Sequence, residues 1–321
     1  MSLLEIDGLS VEFDSRGRTV RAVDAVSMSV ERGEVLAIVG ESGSGKSTIG
    51  RAVVGTIDVV GGRITAGEIR LDNTDVLRLP AREQRSLRGR RIALVPQDPL
   101  SALNPLQRVV DQVAEPMRIH ERASRRAART AAFELLRRVG IPDPQRIGRE
   151  YPHRLSGGQR QRAMIAMAIS LSPDVIVADE PTTALDATVQ AEVLELLVDL
   201  KRELGTTLLL ISHDLGLVES IADTVVVMYA GRIAESGKAR GLYAHPRHPY
   251  TSALLAAVPQ LDVEVSPVQP IGGQPPRLTD LPSGCAFHPR CVRAVERCTS
   301  DTPTLRAIDD RFVACHVPLA Q

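Results

Sequence analysis

Residues 40–48, which read GESGSGKST, constrain the fold of this chain more than any other segment. They follow the apolar run 35–39 and lead into residues 49–54, so they lie where a strand turns into a helix. The phosphate-loop pattern Gly-x-x-x-x-Gly-Lys-Ser requires this context, because small residues let backbone N–H groups close around a phosphate. The alternative interpretation is a glycine-rich turn with a chance lysine.

The fixed positions of the pattern predict how a nucleotide would be held. Lys46 would reach the β and γ phosphates, and the Ser47 hydroxyl would take a magnesium ligand position. The predicted nucleotide-binding residues of the loop are Gly40, Ser42, Gly43, Gly45, Lys46, Ser47 and Thr48.

Composition limits the alternatives. The chain has 321 residues, 43% of them hydrophobic, enough for one large or two modest folded units. Lys+Arg and Asp+Glu both total 39, and aromatic residues make up only 2%, so neither net charge nor stacking platforms favour nucleic acid as a partner. No transmembrane span or signal peptide is visible, which predicts a cytoplasmic location.

The order of apolar patterns predicts an α/β protein. Alternating stretches predict an antiparallel β layer around the phosphate loop, and helical spacing predicts an inserted helical subdomain at about residues 98–171. Apolar runs at 175–178, 207–211 and 225–228 then predict a parallel sheet covered by helices. The nucleotide-binding domain would span 1–236. Residues 237–321 would form a proline-rich, loop-rich extension, either a separate appendage or a wrap around the core.

Two adjacent carboxylates end the apolar run 175–178. Alone, an apolar strand ending in Asp-Glu is a weak signal. In a chain that also carries a phosphate loop, Asp179 is expected to hold the magnesium shell, and Glu180 to orient or deprotonate the water that attacks the γ phosphate.

Between these motifs, residues 155–159 read LSGGQ and precede a helical run. Ser156 is a good helix N-cap, and the two glycines leave the backbone N–H groups open. An ordinary capped helix start is one interpretation. The other is an anion site, because a helix N-terminus favours negative charge.

With this last motif the chain resembles the ATP-binding subunits of ABC transporters. The remaining marks of that family follow in order: VPQDP at 95–99 as the Q-loop, ALD at 184–186 as the D-loop, and ISHD at 211–214 with the switch histidine. The resemblance implies a P-loop NTPase core with an antiparallel β subdomain and an inserted helical subdomain. It also implies a head-to-tail pair of ATPase subunits, each ATP held between one subunit's phosphate loop and the other's signature helix. A single subunit would hydrolyse ATP poorly.

The resemblance also implies residue roles. Glu180, His213 and Gln97 would be catalytic, and Gln97 would join Ser47 and Asp179 as a Mg²⁺ ligand. The implied nucleotide contacts outside the loop are Phe13, Ser156, Gly157, Gly158, Gln159 and Asp186. For Phe13 a core position, and for His213 a structural role at a strand end, are the alternatives.

The sequence between and after these motifs resembles the oligopeptide/dipeptide importer branch of the family. The segments that carry the resemblance are QDPLSALNP at 97–105, YPHR at 151–154 and HPYTSALL at 248–255. This implies ATP-driven import of peptides at the cytoplasmic face of the inner membrane, where the chain would be peripheral. The implied partners are a second ABC ATPase subunit, two transmembrane permeases and an extracytoplasmic solute-binding protein. The same branch also moves nickel and other small solutes, which is the alternative.

Two other classes of protein are alternatives to a transporter ATPase: DNA-repair or translation ATPases of the same superfamily, and non-hydrolysing regulatory modules. DNA-repair relatives carry long coiled-coil insertions, and translation relatives carry two tandem cassettes; neither pattern occurs here. A non-hydrolysing regulatory module would be expected to lack the carboxylate or the histidine, yet Glu180 and His213 are present.

The four cysteines of the chain all lie between residues 285 and 315. A cytoplasmic location disfavours disulfides and favours a four-thiolate metal or cluster site, either zinc or iron–sulfur. In the peptide-importer branch, tails such as GCAFHPRC and ACH are associated in some members with a 4Fe-4S cluster. A structural 4Fe-4S cluster is therefore predicted, with Zn²⁺ and unliganded buried thiols as alternatives. The predicted ligands are Cys285, Cys291, Cys298 and Cys315, with His288 and His316 as substitutes.

Overall fold

The computed structural model describes residues 2–15, 17–183, 185–257 and 271–320. The strands are β1 (Ser2–Ser15), β2 (Arg18–Glu31), β3 (Val35–Val39), β4 (Gly62–Leu71), β5 (Thr74–Asp75), β6 (Ile92–Val95), β7 (Val175–Asp179), β8 (Thr207–Ser212), β9 (Thr224–Tyr229), β10 (Arg232–Lys238), β11 (Arg306–Ile308) and β12 (Arg311–Val313). The helices are α1 (Lys46–Val54), α2 (Ala81–Leu87), α3 (Pro99–Ala102), α4 (Val109–Val113), α5 (Glu115–His120), α6 (Arg125–Arg138), α7 (Pro144–Ile147), α8 (Gly157–Ala168), α9 (Ala187–Leu204), α10 (Leu215–Glu219), α11 (Ala239–Ala244), α12 (Pro249–Ala256) and α13 (Glu296–Ser300).

The chain divides into two compact units. The first unit combines Met1–Val76 with Ile211–Gln321, and the second is Leu77–Leu210. These two units have different boundaries from the predicted domains, which are residues 1–236 and 237–321. The predicted domain boundaries stay a prediction.

An antiparallel sheet of strand order β2-β1-β4-β5 lies in the first unit. Leu4 and Ile6 are buried at alternate positions of β1, as the period-two pattern requires. The pairing register shifts between Ile6 and Leu9, around Gly8 with its φ of 59°. This bulge is the kind of break that lets a long strand bend. The predicted antiparallel layer is confirmed.

The first unit also contains strands in the order β11-β12-β10-β9-β3. β3 runs parallel to β9, pairing Val39 with Val227, and β10 and β12 continue the sheet in antiparallel fashion. Every residue of β3 is buried, which explains its uninterrupted apolar sequence. Residues 306–313 therefore extend the sheet that contains the strand before the phosphate loop, so this part of the C-terminal extension is not a separate appendage.

A fully buried carboxylate ties the chain after β10 to the sheet. Glu235 accepts hydrogen bonds from the backbone N–H groups of Arg247 (2.9 Å) and His248 (2.8 Å). Arg311 of β12 lies 3.5 Å from the same carboxylate. A buried charge needs such partners, because an unpaired one would be strongly destabilising.

The buried His248 side chain is expected to make the stability of the protein depend on pH. Burial lowers the pKa of His248 from 6.5 to about 4, and its Nδ1 accepts the backbone N–H of Tyr250 at 2.9 Å, capping α12. Below pH 6.5 the unfolded chain binds a proton that the folded chain does not, so stability falls as the pH falls towards 4. This residue is expected to remove about 2 kcal/mol from the free energy of unfolding between pH 7 and pH 5.

Urea unfolding at the two pH values measures this loss. His248→Asn keeps a capping oxygen without a titratable ring, so the loss should shrink by about 2 kcal/mol in that variant. His245→Asn, at an exposed position three residues earlier, is the control and should keep the wild-type dependence. Equal pH dependence in wild type and His248→Asn would contradict the prediction.

The second unit contains β6, β7, residues 207–210 of β8 and the helices α2 to α9, and its strands lie in the order β8-β7-β6. β6 and β7 are parallel, pairing Val95 with Ala178. Helices α4, α6 and α8 pack against one another, and α6 buries Ala128, Ala132 and Leu136 at intervals of one turn. Helices α3 to α8 fall within the segment predicted to form the helical subdomain.

Among the helices of the described residues, none combines the length and the apolar character needed to cross a membrane.

Candidate active site

The phosphate loop connects β3 to α1 in the first unit. Gly40 has φ 146°, and a Cβ added there would come within 2.2 Å of the Met228 carbonyl oxygen of β9. Gly45 has φ 101°, and its Cβ would lie 2.4 Å from the Ala22 carbonyl oxygen. Any side chain at these two positions would clash with a neighbouring backbone carbonyl, and both residues also have a positive φ that favours glycine.

Lys46 points back along the loop that precedes it. Its side chain is almost completely buried, and Nζ donates to the carbonyl oxygens of Gly40 (2.8 Å) and Glu41 (2.9 Å). The loop is also tied to the strand connection after β9, since the Gly231 N–H donates to the Ser44 carbonyl at 3.0 Å. The ammonium group thus lies inside the curve of the loop, where a phosphate would be bound.

Helix α1 begins at Lys46 without a side-chain cap, because its N-cap residue is Gly45. A helix N-terminus favours an anion through its dipole. The predicted residues Ser42 and Gly43 are exposed on the loop, while Ser47 and Thr48 lie half-buried in the first turn of α1. Phosphate binding by these residues stays a prediction.

Phe13 and His213 also belong to the first unit. Phe13 lies in β1, half-buried, with its ring so close to Gly62 that a Cβ there would come within 2.7 Å. His213 is exposed between β8 and α10, and the following residue, Asp214, caps α10 through the Leu217 N–H at 3.1 Å. Neither geometry tests the adenine or γ-phosphate role, so both stay predictions.

In the second unit, the pairing of β6 with β7 brings Gln97 to Glu180. Val95 pairs with Ala178 in parallel register, so the residues two positions further on leave the same edge of the sheet together. Gln97 Nε2 donates to Glu180 Oε2 at 2.8 Å. Two of the predicted catalytic residues therefore contact each other directly.

Glu180 is held in an unusual backbone conformation. Its φ is 47°, in the left-handed region that a non-glycine residue enters at a cost, and such strain is common at active sites. The preceding carboxylate, Asp179, is 5% exposed at the end of a fully buried strand. The position of Asp179 is therefore set by the sheet, because it is the last residue of β7. The position of Glu180 is set by the left-handed backbone conformation of the residue itself.

The signature Ser156 to Gln159 forms a capping box at the start of α8. Ser156 Oγ accepts the Gln159 N–H at 3.2 Å, and the Ser156 N–H donates to Gln159 Oε1 at 3.1 Å. The two interpretations of the motif, a capped helix start and an anion site, are therefore compatible. The cap shapes the helix N-terminus that an anion would approach.

The signature glycines face the start of α9. A Cβ at Gly157 would lie 3.2 Å from Leu185, and one at Gly158 would lie 2.9 Å from Val189. Asp186 caps α9 by accepting the Val189 N–H at 3.0 Å. Signature and D-loop are therefore packed together in the second unit, although Ala184, the first residue of the predicted D-loop, lies outside the described residues.

Two supporting residues were missed from the sequence. Thr183 Oγ1 donates to Glu180 Oε2 at 3.0 Å, and Gln190 Nε2 donates to the carbonyl oxygens of Thr182 (3.2 Å) and Leu185 (3.0 Å). The signal for Thr183 was its polar side chain three residues after Glu180 in a turn. Gln190 gives no local signal, because it lies inside a regular helix.

The predicted 4Fe-4S cluster of the C-terminal extension is wrong. Among the described residues, no three His, Cys, Asp or Glu side chains come together in a way that could hold a metal ion, and this geometry gives the zinc alternative no support either. All four cysteines are free thiols. The two histidines offered as substitutes bind backbone carbonyl oxygens instead, His288 that of Cys285 at 2.9 Å and His316 that of Asp301 at 2.8 Å.

The four thiols lie in environments that are buried or half-buried. Cys298 and Cys315 are buried, and burial raises the pKa of Cys285, Cys291 and Cys315, in the last case to about 11. A raised pKa favours the neutral thiol, whereas metal ligation needs the thiolate. Cys298 and Cys315 therefore act as small buried apolar residues in a segment of short elements.

Comparison with known proteins agrees with this arrangement of motifs. Residues 23–183 match the family model described as ABC transporter, and residues 234–298 match the model of the oligopeptide/dipeptide transporter C-terminal region. The chain is similar to the dipeptide transport ATP-binding protein DppD of Haemophilus influenzae, with 45% identity over 99% of this chain and 96% of the relative. It is 44% identical to DppD of Escherichia coli, over 99% and 98% of the two chains.

Solved structures show the same likeness. The dimeric post-hydrolysis state of the ATP-binding cassette MJ0796, bound to ADP and Pi, matches with a TM-score of 0.67 and 28% identity, covering 74% of this chain and 99% of that chain. The structure of cbiO1 from Clostridium perfringens matches with a TM-score of 0.63 and 29% identity, covering 76% and 91%. Both comparisons agree with the predicted α/β cassette fold.

Proposed function

This chain belongs to the ATP-binding subunits of ABC transporters, in the oligopeptide/dipeptide branch, and from that membership we propose that it hydrolyses ATP to drive the import of short peptides. The observation that carries the proposal is the near full-length similarity to dipeptide transport ATP-binding proteins, which includes the C-terminal region characteristic of that branch. No observation favours nickel or another solute over peptides.

Binding of the nucleotide is assigned to the phosphate loop and α1. Lys46 and the backbone of the loop bind the phosphates, supported by the buried position of the ammonium group inside the loop. Mg²⁺ prefers oxygen ligands, and Ser47, Asp179 and Gln97 offer a hydroxyl, a carboxylate and an amide oxygen. When bound, the ion would neutralise charge on the β and γ phosphates.

Hydrolysis is assigned to Glu180, which would orient the attacking water or accept its proton. The hydrogen bonds from Gln97 and Thr183 support this role, because they hold the carboxylate in one orientation. Lys46 and His213 would stabilise the charge that spreads over the γ phosphate.

Partners follow from membership in a transporter family. We assign the chain to a complex with membrane permeases, peripheral to the cytoplasmic face of the membrane. A second ATPase subunit, a pair of permeases and an extracytoplasmic solute-binding protein complete the proposed complex. The signature helix of one subunit would face the phosphate loop of the other, and the dimeric state of a solved relative supports such pairing.

Uptake of defined solutes by the reconstituted transporter tests the proposed function. Proteoliposomes containing this chain, its permeases and its binding protein should accumulate a labelled dipeptide in the presence of ATP. An assembly with Glu180→Gln should transport at least about 100-fold more slowly, because the general base is absent. Labelled Ni²⁺ and a labelled trisaccharide serve as alternative cargoes. Accumulation of either in place of the dipeptide would overturn the peptide assignment and leave the ATPase assignment intact.

A further inference from the structure

An arginine of the C-terminal region reaches the phosphate loop. Arg290 ends the short 3-10 turn His288–Arg290, and its side chain is 4% exposed. Its Nη1 donates to Glu41 Oε2 at 2.6 Å, and its Nη2 donates to Glu41 Oε1 at 2.9 Å. Glu41 is the residue directly after Gly40, so a two-pronged ion pair joins the extension to the loop.

The guanidinium group of Arg290 is held by further contacts. Its Nε donates to the Gly272 carbonyl oxygen at 2.9 Å, and Nη1 lies 3.3 Å from the Tyr229 hydroxyl. The centroids of the Tyr229 and Phe287 rings are 5.9 and 6.0 Å from its Cζ. A planar cation held this way is preorganised for a carboxylate, a geometry that lysine cannot reproduce.

Glu41 connects this ion pair to Lys46. Its N–H donates to the hydroxyl oxygen of the fully buried Tyr250 at 2.9 Å, and its carbonyl oxygen accepts Lys46 Nζ at 2.9 Å. Residues 275–279 of the extension also line a cavity together with loop residues 41–44. The side chain, the N–H and the carbonyl of Glu41 are thus each held by a different part of the first unit.

The charge of Glu41 poses a problem for the loop. A phosphate loop binds a polyanion, and a carboxylate in the loop would repel it unless a cation compensates the charge. Arg290 supplies that cation from the other end of the chain. The pKa of Arg290 is raised, chiefly by its hydrogen bonds with Glu41, so the group stays charged.

We propose that Arg290 is a positioning residue of the ATP site, which neutralises Glu41 and holds the phosphate loop in the shape that binds nucleotide. The C-terminal extension is then part of the nucleotide-binding machinery. This inference rests on the proposed ATP-binding function, and it adds to that site a residue outside the sequence motifs described above.

Three variants test the proposal, because each is expected to change the affinity for nucleotide differently. Arg290→Gln leaves Glu41 unpaired beside the loop, so the dissociation constant for the non-hydrolysable analogue MgAMP-PNP should rise about tenfold. Glu41→Gln removes the repulsive charge and should bind the analogue as tightly as wild type or tighter. The double variant Glu41→Gln/Arg290→Gln should return to within about threefold of wild type, because neither charge remains.

Isothermal titration of the full-length chain measures these constants, with Arg293→Gln, an exposed position three residues away, as the matched control. At saturating ATP, kcat of Arg290→Gln should stay within about threefold of wild type, because the change affects binding and not the reacting groups. The loss of affinity should shrink at high salt, as a charge effect requires.

Rescue separates positioning from a merely structural role. If Arg290 only anchors the extension, removing Glu41 as well cannot restore binding, so a double variant as weak as Arg290→Gln would overturn the proposal. Should Arg290→Gln fail to fold, Glu41→Gln carries the test, and clearly weaker binding by that folded variant would also overturn it. A wild-type chain that binds no nucleotide would overturn the proposed function together with this inference.

Discussion

Replacing Glu180 by glutamine is expected to lower kcat for ATP hydrolysis by at least about 100-fold, while the affinity for ATP stays within about threefold of wild type. Glutamine has the shape of glutamate but cannot accept a proton from the attacking water. Since Glu180 is predicted to act on the water and not to hold the phosphates, nucleotide binding should survive the change.

The structure makes this substitution a sharp test. Glu180 Oε2 accepts hydrogen bonds from Gln97 (2.8 Å) and Thr183 (3.0 Å), and a glutamine oxygen can keep both. Loss of activity would therefore report the chemistry of the carboxylate and not a displaced side chain. ATP should remain bound and unhydrolysed, and the variant should accumulate as a closed dimer in the presence of MgATP.

Steady-state phosphate release, titration of ATP and size-exclusion chromatography measure the three expectations. Glu195→Gln, which removes an exposed carboxylate from α9 in the same unit, is the matched control and should behave as wild type. Wild-type turnover by Glu180→Gln would refute the assignment of Glu180.

Replacing Gly40 by alanine is expected to abolish measurable ATP binding and to lower the free energy of unfolding by about 3 kcal/mol. The added Cβ would lie 2.2 Å from the Met228 carbonyl oxygen and 3.1 Å from Ser44 Oγ. The Met228 carbonyl belongs to the backbone of β9, which pairs with β3 and cannot move away without breaking that pairing. The loop must therefore shift, and its N–H groups with it.

Gly33→Ala is the control for this substitution. Gly33 also has a positive φ, 74°, but nothing lies within 4 Å of an added Cβ. It should show only the backbone strain, about 1 kcal/mol, with ATP affinity unchanged. Urea unfolding and equilibrium titration of MgAMP-PNP distinguish the two. Unchanged ATP affinity in Gly40→Ala would show that close contact with β9 does not shape the loop.

Much of the site was predictable because its chemistry is local in sequence. The apolar run before Gly40 predicted β3, and the pattern around Lys46 predicted a strand, a loop and a helix start. Ser156 likewise predicted a helix cap, which the structure confirms as a capping box completed by Gln159. Each of these features depends on backbone conformation and on hydrogen bonds between residues a few positions apart.

Prediction failed where the outcome depends on distances between remote residues. Four cysteines close in sequence predicted a cluster, yet spacing alone cannot place four sulfur atoms around one ion, and no such group of side chains forms in the part of the chain that the structure describes. The pair formed by Arg290 and Glu41 spans 249 positions. No local pattern indicates such a partner, because the hydrogen-bonding groups meet only after the sheet has formed.

By itself, the sequence determined the cassette fold, the phosphate loop, the two carboxylates and the signature helix, since these are written in short patterns of side chains and backbone preferences. Only the tertiary structure decided which neighbours hold them: Gln97 and Thr183 on Glu180, Met228 against Gly40, and Arg290 on Glu41. The physical reason is that a motif specifies its own conformation locally, whereas packing and charge compensation depend on atoms that only folding brings within a few ångströms.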